Sequence, residues 1–121
     1  MLRAFLIAVP LAVGITGTAS AALAANGFTA TEKEWSISGV PKNLVHGKKY
    51  TITAKNVGHF PHDLLVDGHG LNDVGIHNKS PIAPGKSGKF TLTFPRKGTY
   101  EIYCALPGHA AKGMKLEIVV K

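Results

Sequence analysis

Residues 100–120 read YEIYCALPGHAAKGMKLEIVV, and both ends of this stretch alternate apolar and polar side chains. Tyr100, Ile102 and Cys104 share one face of the first run, and Met114, Leu116, Ile118 and Val120 share one face of the second. Successive side chains on a strand point to opposite faces, so this spacing predicts two half-buried strands joined by the loop ALPGHAAKG. The same period recurs upstream. Tyr50, Ile52 and Ala54 share a face up to Asn56-Val57-Gly58, and His62, Leu64 and Val66 share one before Asp67-Gly68. Phe90, Leu92 and Phe94 follow the same rule before a turn at Pro95 to Gly98, and Trp35 and Ile37 mark an early strand ahead of Gly39 and Pro41. Residues 67–85 (DGHGLNDVGIHNKSPIAPG) hold most of the turn formers and read as a long connection with at most a short strand around Val74 to His77. Short alternating runs, turn signals between them and no crossover helices predict an all-β Greek-key sandwich or barrel of about seven to eight strands.

The chain of 121 residues has room for one such domain. Its start reads differently. Arg3 is followed by an uncharged stretch to Ala25, apolar through Ile15 and then rich in small residues, which is the layout of a secretory signal peptide. A leader over residues 1–24, cleaved near Ala21 or Ala24, leaves a domain over 25–121 and implies an exported, periplasmic protein. The stretch is also long enough to span a bilayer, so retention as a membrane anchor is the competing reading. Pro10, Gly14 and Gly17 favour cleavage. The formal net charge is +7, but the lysines are scattered, with no basic run and no interleaved aromatic platform. This excludes a nucleic-acid partner and suits a protein partner with an acidic surface.

Cys104 is the only cysteine, and Met114 the only methionine besides Met1. A lone thiol in an oxidising compartment is a liability unless something occupies it, so Cys104 is a buried inert thiol, half of an intermolecular disulfide, or a metal ligand. Parity supports the last. Cys104 shares the face of Tyr100 and Ile102, His62 that of Leu64 and Val66, and Met114 that of Leu116 and Ile118, so all three point inward at strand ends. The joining loop places His109 between Cys104 and Met114. One thiolate, two imidazoles and a weak thioether form the soft donor set associated with electron-transfer copper. The other histidines fit less well. His59 lacks inward parity, His46 sits in a turn, and His69 and His77 share their connection with Asp67 and Asp73 as a weak surface metal site at best.

With these residues in place, the sequence resembles the cupredoxins, the small type 1 (blue) copper proteins of the plastocyanin and azurin group. Phe60-Pro61-His62 resembles plastocyanin's segment around its first histidine ligand. Cys104-Ala-Leu-Pro-Gly-His109 resembles azurin's ligand loop, and four residues separate His109 from Met114, as in plastocyanin. The resemblance implies one copper ion cycling between Cu(I) and Cu(II), with His62, Cys104, His109 and Met114 as ligands. It further implies that His109 is the exposed edge where electrons leave, inside a docking patch of Phe60, Pro61, Leu106, Pro107, Gly108 and Ala110. Tyr103, on the outer face beside Cys104, marks an alternative route. Backbone amides of Asp63 and Leu106 are expected to face the sulfur. Two positions depart from the family's habit. Cupredoxins usually tie an asparagine after the first histidine to a hydroxyl residue after the cysteine, and here those positions are Asp63 and Ala105. The tie between the two segments is expected to weaken, and Asp63 must find another partner.

The functional expectation is a carrier of single electrons between redox protein partners, with no small-molecule substrate. A copper storage or delivery protein of the same fold is the alternative, and one methionine beyond the leader is poor support for it. Copper oxidases and nitrite reductases need further copper centres, usually with paired His-x-His motifs, and no such motif occurs. The protein is therefore expected not to be an enzyme.

Overall fold

A computed structural model describes residues 26–77 and 80–121, and the leader expected over residues 1–24 lies outside them. The described chain forms eight strands: β1 (Gly27–Lys33), β2 (Ser36–Ser38), β3 (Lys49–Asn56), β4 (Leu64–Gly68), β5 (Leu71–Ile76), β6 (Ser87–Thr93), β7 (Gly98–Tyr103) and β8 (Lys115–Val120). They make two four-stranded sheets, ordered β2-β1-β3-β6 and β5-β4-β7-β8. All neighbours are antiparallel except β1 and β3, which run parallel with Phe28 opposite Ile52. The architecture is the all-β sandwich that the alternating runs predict.

The inward faces are those read from parity. Ile52 and Ala54, Leu64 and Val66, Leu92 and Phe94, Tyr100 and Ile102, and Ile118 and Val120 form one buried cluster between the sheets. Full burial of a side chain of the Leu, Ile or Phe kind contributes roughly 1.5–3 kcal/mol, so this cluster is the main source of stability. At the pole where β6 turns into β7, Phe94 packs edge-on against Tyr100 at 4.9 Å, and the Tyr100 hydroxyl donates to the Arg96 carbonyl at 2.7 Å.

Two strands differ from expectation. The first strand begins at Gly27, ahead of the predicted one, and Trp35 stands in the turn between β1 and β2. β1 places Phe28, Ala30 and Glu32 inward, a face with one large apolar residue and a carboxylate, so its hydropathy signal is weak. Its backbone is satisfied instead by pairing with both β2 and β3. The long connection after β4 is also more ordered than its composition suggests, because β5 spans Leu71–Ile76 and pairs with β4 across a bulge. Gly75 shows why the turn formers misled. Its φ is +145°, and a Cβ there would collide with the Leu64 carbonyl, so this glycine permits close strand pairing instead of ending it.

Asn56, at the end of β3, organises the approach to the opposite pole. It has the inward parity of Tyr50, Ile52 and Ala54 and is fully buried. Its side-chain amide donates to the carbonyls of Phe60 and Ile82, both at 2.8 Å, and its side-chain oxygen accepts the Gly58 N–H at 2.9 Å. Ile82 in turn pairs with His62 through two backbone hydrogen bonds of 3.1 and 2.7 Å. One polar residue thereby folds the segment 57–62 against the sandwich.

Candidate metal centre

Three segments deliver side chains to this pole. Cys104 follows the last residue of β7, and Met114 immediately precedes β8. Both are fully buried, and a backbone hydrogen bond of 3.0 Å from Cys104 N–H to the Met114 carbonyl joins them. His62 lies two residues before β4, held by its bridge to Ile82, and is also fully buried. Inward parity thus continues one or two positions beyond the strands themselves. His109 sits in the β7–β8 loop and is partly exposed. Its N–H donates to the Leu106 carbonyl at 3.0 Å, and its own carbonyl accepts the Met114 N–H at 3.1 Å. The loop closes on Gly113, whose φ of +126° suits a residue without Cβ and whose α-carbon faces the Trp35 carbonyl.

The donor atoms face one another. His109 Nδ1 lies 3.4 Å from Cys104 Sγ and 3.1 Å from His62 Nδ1, and His62 Nδ1 lies 4.0 Å from the sulfur. Among the described residues, His62, Cys104 and His109 are the one group of three such side chains whose donor atoms converge. The surface alternative dissolves, because Asp67 and Asp73 turn to the Tyr103 hydroxyl and His69 lies against the Tyr100 ring at 5.0 Å. The pole's chemistry fits a soft metal ion. Burial pushes the Cys104 thiol up to about 12, with the backbone N–H groups of Asp63 and Leu106 pulling the other way and the Asp63 charge adding to the rise. The metal-free pole therefore holds a neutral thiol, whose proton a metal ion must displace. Burial, then the neighbouring His62 and Lys112, lowers His109 and keeps its imidazole available as a donor.

The tie between the two ligand segments takes a different form from the expected one. The Asp63 carboxylate accepts the Ala105 backbone N–H at 2.5 Å, while the Asp63 N–H points to Cys104 Sγ at 3.4 Å. A side-chain-to-backbone bond replaces the usual side-chain pair, so Ala105 needs no hydroxyl and the segments stay joined. Burial raises the Asp63 carboxyl above its ordinary range, with the Ala105 N–H opposing. A carboxylate this near a copper ion favours the higher oxidation state. Asp63→Asn keeps the acceptor and removes the charge, so wherever the Asp63 carboxyl is ionised the variant's reduction potential should exceed the wild type's by on the order of tens of millivolts. An equal or lower potential by voltammetry would reject this account.

Sequence reasoning missed Glu34 and Trp35, both in the β1–β2 turn. The Glu34 carboxylate bonds His62 Nε2 at 2.9 Å and accepts the backbone N–H of Phe60 at 2.9 Å and of His59 at 3.0 Å. Partial desolvation works against its ionisation, but these hydrogen bonds prevail and hold it down at about 2. Trp35 stacks on Phe60 at 6.2 Å and meets the His109 ring edge-on at 4.9 Å, while Lys112 Nζ lies 4.3 Å from the Trp35 ring. The available signal was parity, since Glu34 continues the inward series Phe28, Ala30 and Glu32 toward this pole.

A thiol, two imidazoles and a neighbouring thioether residue at one pole of a two-sheet sandwich define a copper-binding sandwich protein. Comparison with known proteins agrees. The family described as copper binding proteins, plastocyanin/azurin family, matches residues 26–121. The chain is 30% identical to the chloroplastic plastocyanin of Fritillaria agrestis over 122 aligned positions, covering 91% of this chain and 71% of that protein. It is 34% identical to the plastocyanin of Daucus carota over 83 positions, covering 66% and 84%. Its fold is similar to that of the dithionite-reduced auracyanin of Roseiflexus castenholzii, with a TM-score of 0.63, 23% identity, and coverage of 81% of this chain and 98% of the other. The chain belongs to the plastocyanin/azurin family of copper-binding proteins, the cupredoxins, and its cofactor is one copper ion.

Proposed function

We propose that this protein is an exported carrier of single electrons between redox protein partners, holding its copper ion with His62, Cys104, His109 and Met114. The observation that carries this reading is the convergence of the His62 and His109 Nδ1 atoms on the buried Cys104 sulfur. Copper, when bound, supplies the one-electron couple. The protein's part is to keep the donors still. Cys104 and Met114 are joined through their backbones, His62 is pinned to Ile82, and His109 is closed into its loop, so little rearranges when the charge on the site changes. The relatives are plastocyanins, which supports a carrier and not an enzyme.

Partner contact is assigned to the face around His109. Phe60 is 54% exposed there, a large apolar side chain left uncovered, and Pro61, Pro107 and Gly108 are exposed beside it, with Leu106 and Ala110 half-buried. Trp35 extends this patch under Phe60. A small apolar face with Lys112 at its edge suits a brief complex with an acidic partner, in which charge mainly raises the encounter rate. The leader supports export to the periplasm, with membrane attachment only if it is retained.

Adding one equivalent of Cu(II) to the metal-free protein should produce an intense thiolate-to-copper charge-transfer band in the visible and release protons, since the Cys104 thiol must ionise. Cys104→Ser should remove the band. A colourless protein that takes up only Cu(I) would replace the carrier reading with copper delivery.

A further inference from the structure

Glu34 is the one carboxylate in direct contact with a histidine of the centre among the described residues, and the contact is specific about which nitrogen it meets. His62 turns Nε2 to the Glu34 carboxylate at 2.9 Å and Nδ1 toward Cys104 Sγ and His109 Nδ1. A neutral imidazole has one N–H, and an ionised carboxylate only accepts. The proton therefore belongs on Nε2, and the lone pair on Nδ1 faces the centre. The carboxylate is itself held from two sides. It accepts the backbone N–H groups of His59 and Phe60, and Gly58 lies so close that a Cβ there would collide with it. The His62 side chain is fully buried, and the Glu34 side chain is half-buried beside it.

We infer that Glu34 is a positioning residue of the copper centre: its carboxylate fixes His62 as the Nε2–H tautomer, aims Nδ1 at the metal, and makes that imidazole a stronger donor to Cu(II) than to Cu(I). This rests on the ligand assignment proposed above. A carboxylate behind a ligating imidazole orients the ring and raises its basicity, and loss of such a partner typically costs ten- to a hundredfold in metal affinity. The negative charge lowers the energy of the more positive ion more, so the two oxidation states respond unequally. The β1–β2 turn serves both histidines of this pole. Glu34 grips one histidine, while its neighbour Trp35 covers the other.

The test has a metal-free arm and a copper-loaded arm. In metal-free protein with 15N-labelled histidine at about pH 8, NMR should show His62 as the Nε2–H tautomer, and Glu34→Ala should shift it toward a mixture. In copper-loaded protein, Glu34→Gln keeps the shape of the side chain and removes the charge. Its Cu(II) affinity should fall about ten- to a hundredfold while its Cu(I) affinity changes by less than about threefold. The reduction potential should rise by about 59 mV for each tenfold difference between the two changes. An Nδ1–H tautomer or a doubly protonated His62 in the wild type, or equal losses of Cu(II) and Cu(I) affinity in Glu34→Gln, overturns the inference. The wild-type spectrum needs no variant to fold. An intact blue band with an unchanged potential counts against Glu34 alone, whereas a wild type that never turns blue counts against the proposed function and leaves the tautomer measurement standing.

Discussion

Glu32→Gln should stabilise the metal-free protein increasingly as pH rises, with the difference from wild type growing by roughly 5 kcal/mol between about pH 4 and pH 9. Glu32 is fully buried on β1, and neither carboxylate oxygen has a hydrogen-bond partner. Burial, with the nearby Asp63 charge adding to it, raises its pKa from 4.5 to about 8. The sign follows from counting protons. Below about 4.5 both folded and unfolded chains keep the proton, and the group makes no difference. Between about 4.5 and 8 the unfolded chain releases a proton that the folded chain retains, so wild-type stability falls as pH rises through this window. Glutamine cannot ionise. It leaves a buried amide needing partners, a cost of about 1–3 kcal/mol that is the same at every pH, so the slope is diagnostic and the offset is not. Asp63 adds a fall of the same sign that persists in the variant. Urea unfolding curves across this range provide the check, and parallel profiles for the two proteins would show that Glu32 has partners in solution that lower its pKa.

The second large effect is expected at Asn56→Ala, a loss of about 3 kcal/mol in the metal-free protein together with loosening of the segment 57–62. Three hydrogen bonds vanish, and the Phe60 and Ile82 carbonyls and the Gly58 N–H lose their partner. Each buried group left unsatisfied costs about 1–3 kcal/mol, and water entering the vacated space recovers part of that. Because Asn56 ties Phe60 and Ile82, and Ile82 ties His62, the consequence reaches the centre. Amide hydrogens of residues 58–62 should exchange faster, and the copper band should broaden as His62 samples more positions. A loss below about 1 kcal/mol with unchanged exchange would mean that the His62–Ile82 bridge holds the segment by itself.

These effects arise at polar residues on inward faces, which mark the boundary between what was legible in the sequence and what was not. Strict alternation in residues 49–56, 90–94, 98–104 and 114–120 determined the sandwich class and its buried face, because a side chain on a strand has only two directions to point. The same rule, with the spacing of Cys104, His109 and Met114, was enough to locate one pole and its soft donor set. Glu32, Glu34 and Asn56 carried that parity too, but a polar residue at an inward position does not say what it will meet.

Those meetings were decided by tertiary structure. Parallel pairing of β1 with β3 carries the β1–β2 turn to the metal pole, where Glu34 finds His62 twenty-eight residues away in sequence and Trp35 finds His109. The bond from Ala105 N–H to Asp63 likewise spans forty-two residues and supplies a tie that the two side chains cannot make with each other. Parity is a local property of the backbone and can be read from the chain. A hydrogen bond between distant segments depends on which strands become neighbours, and local spacing carries no record of that.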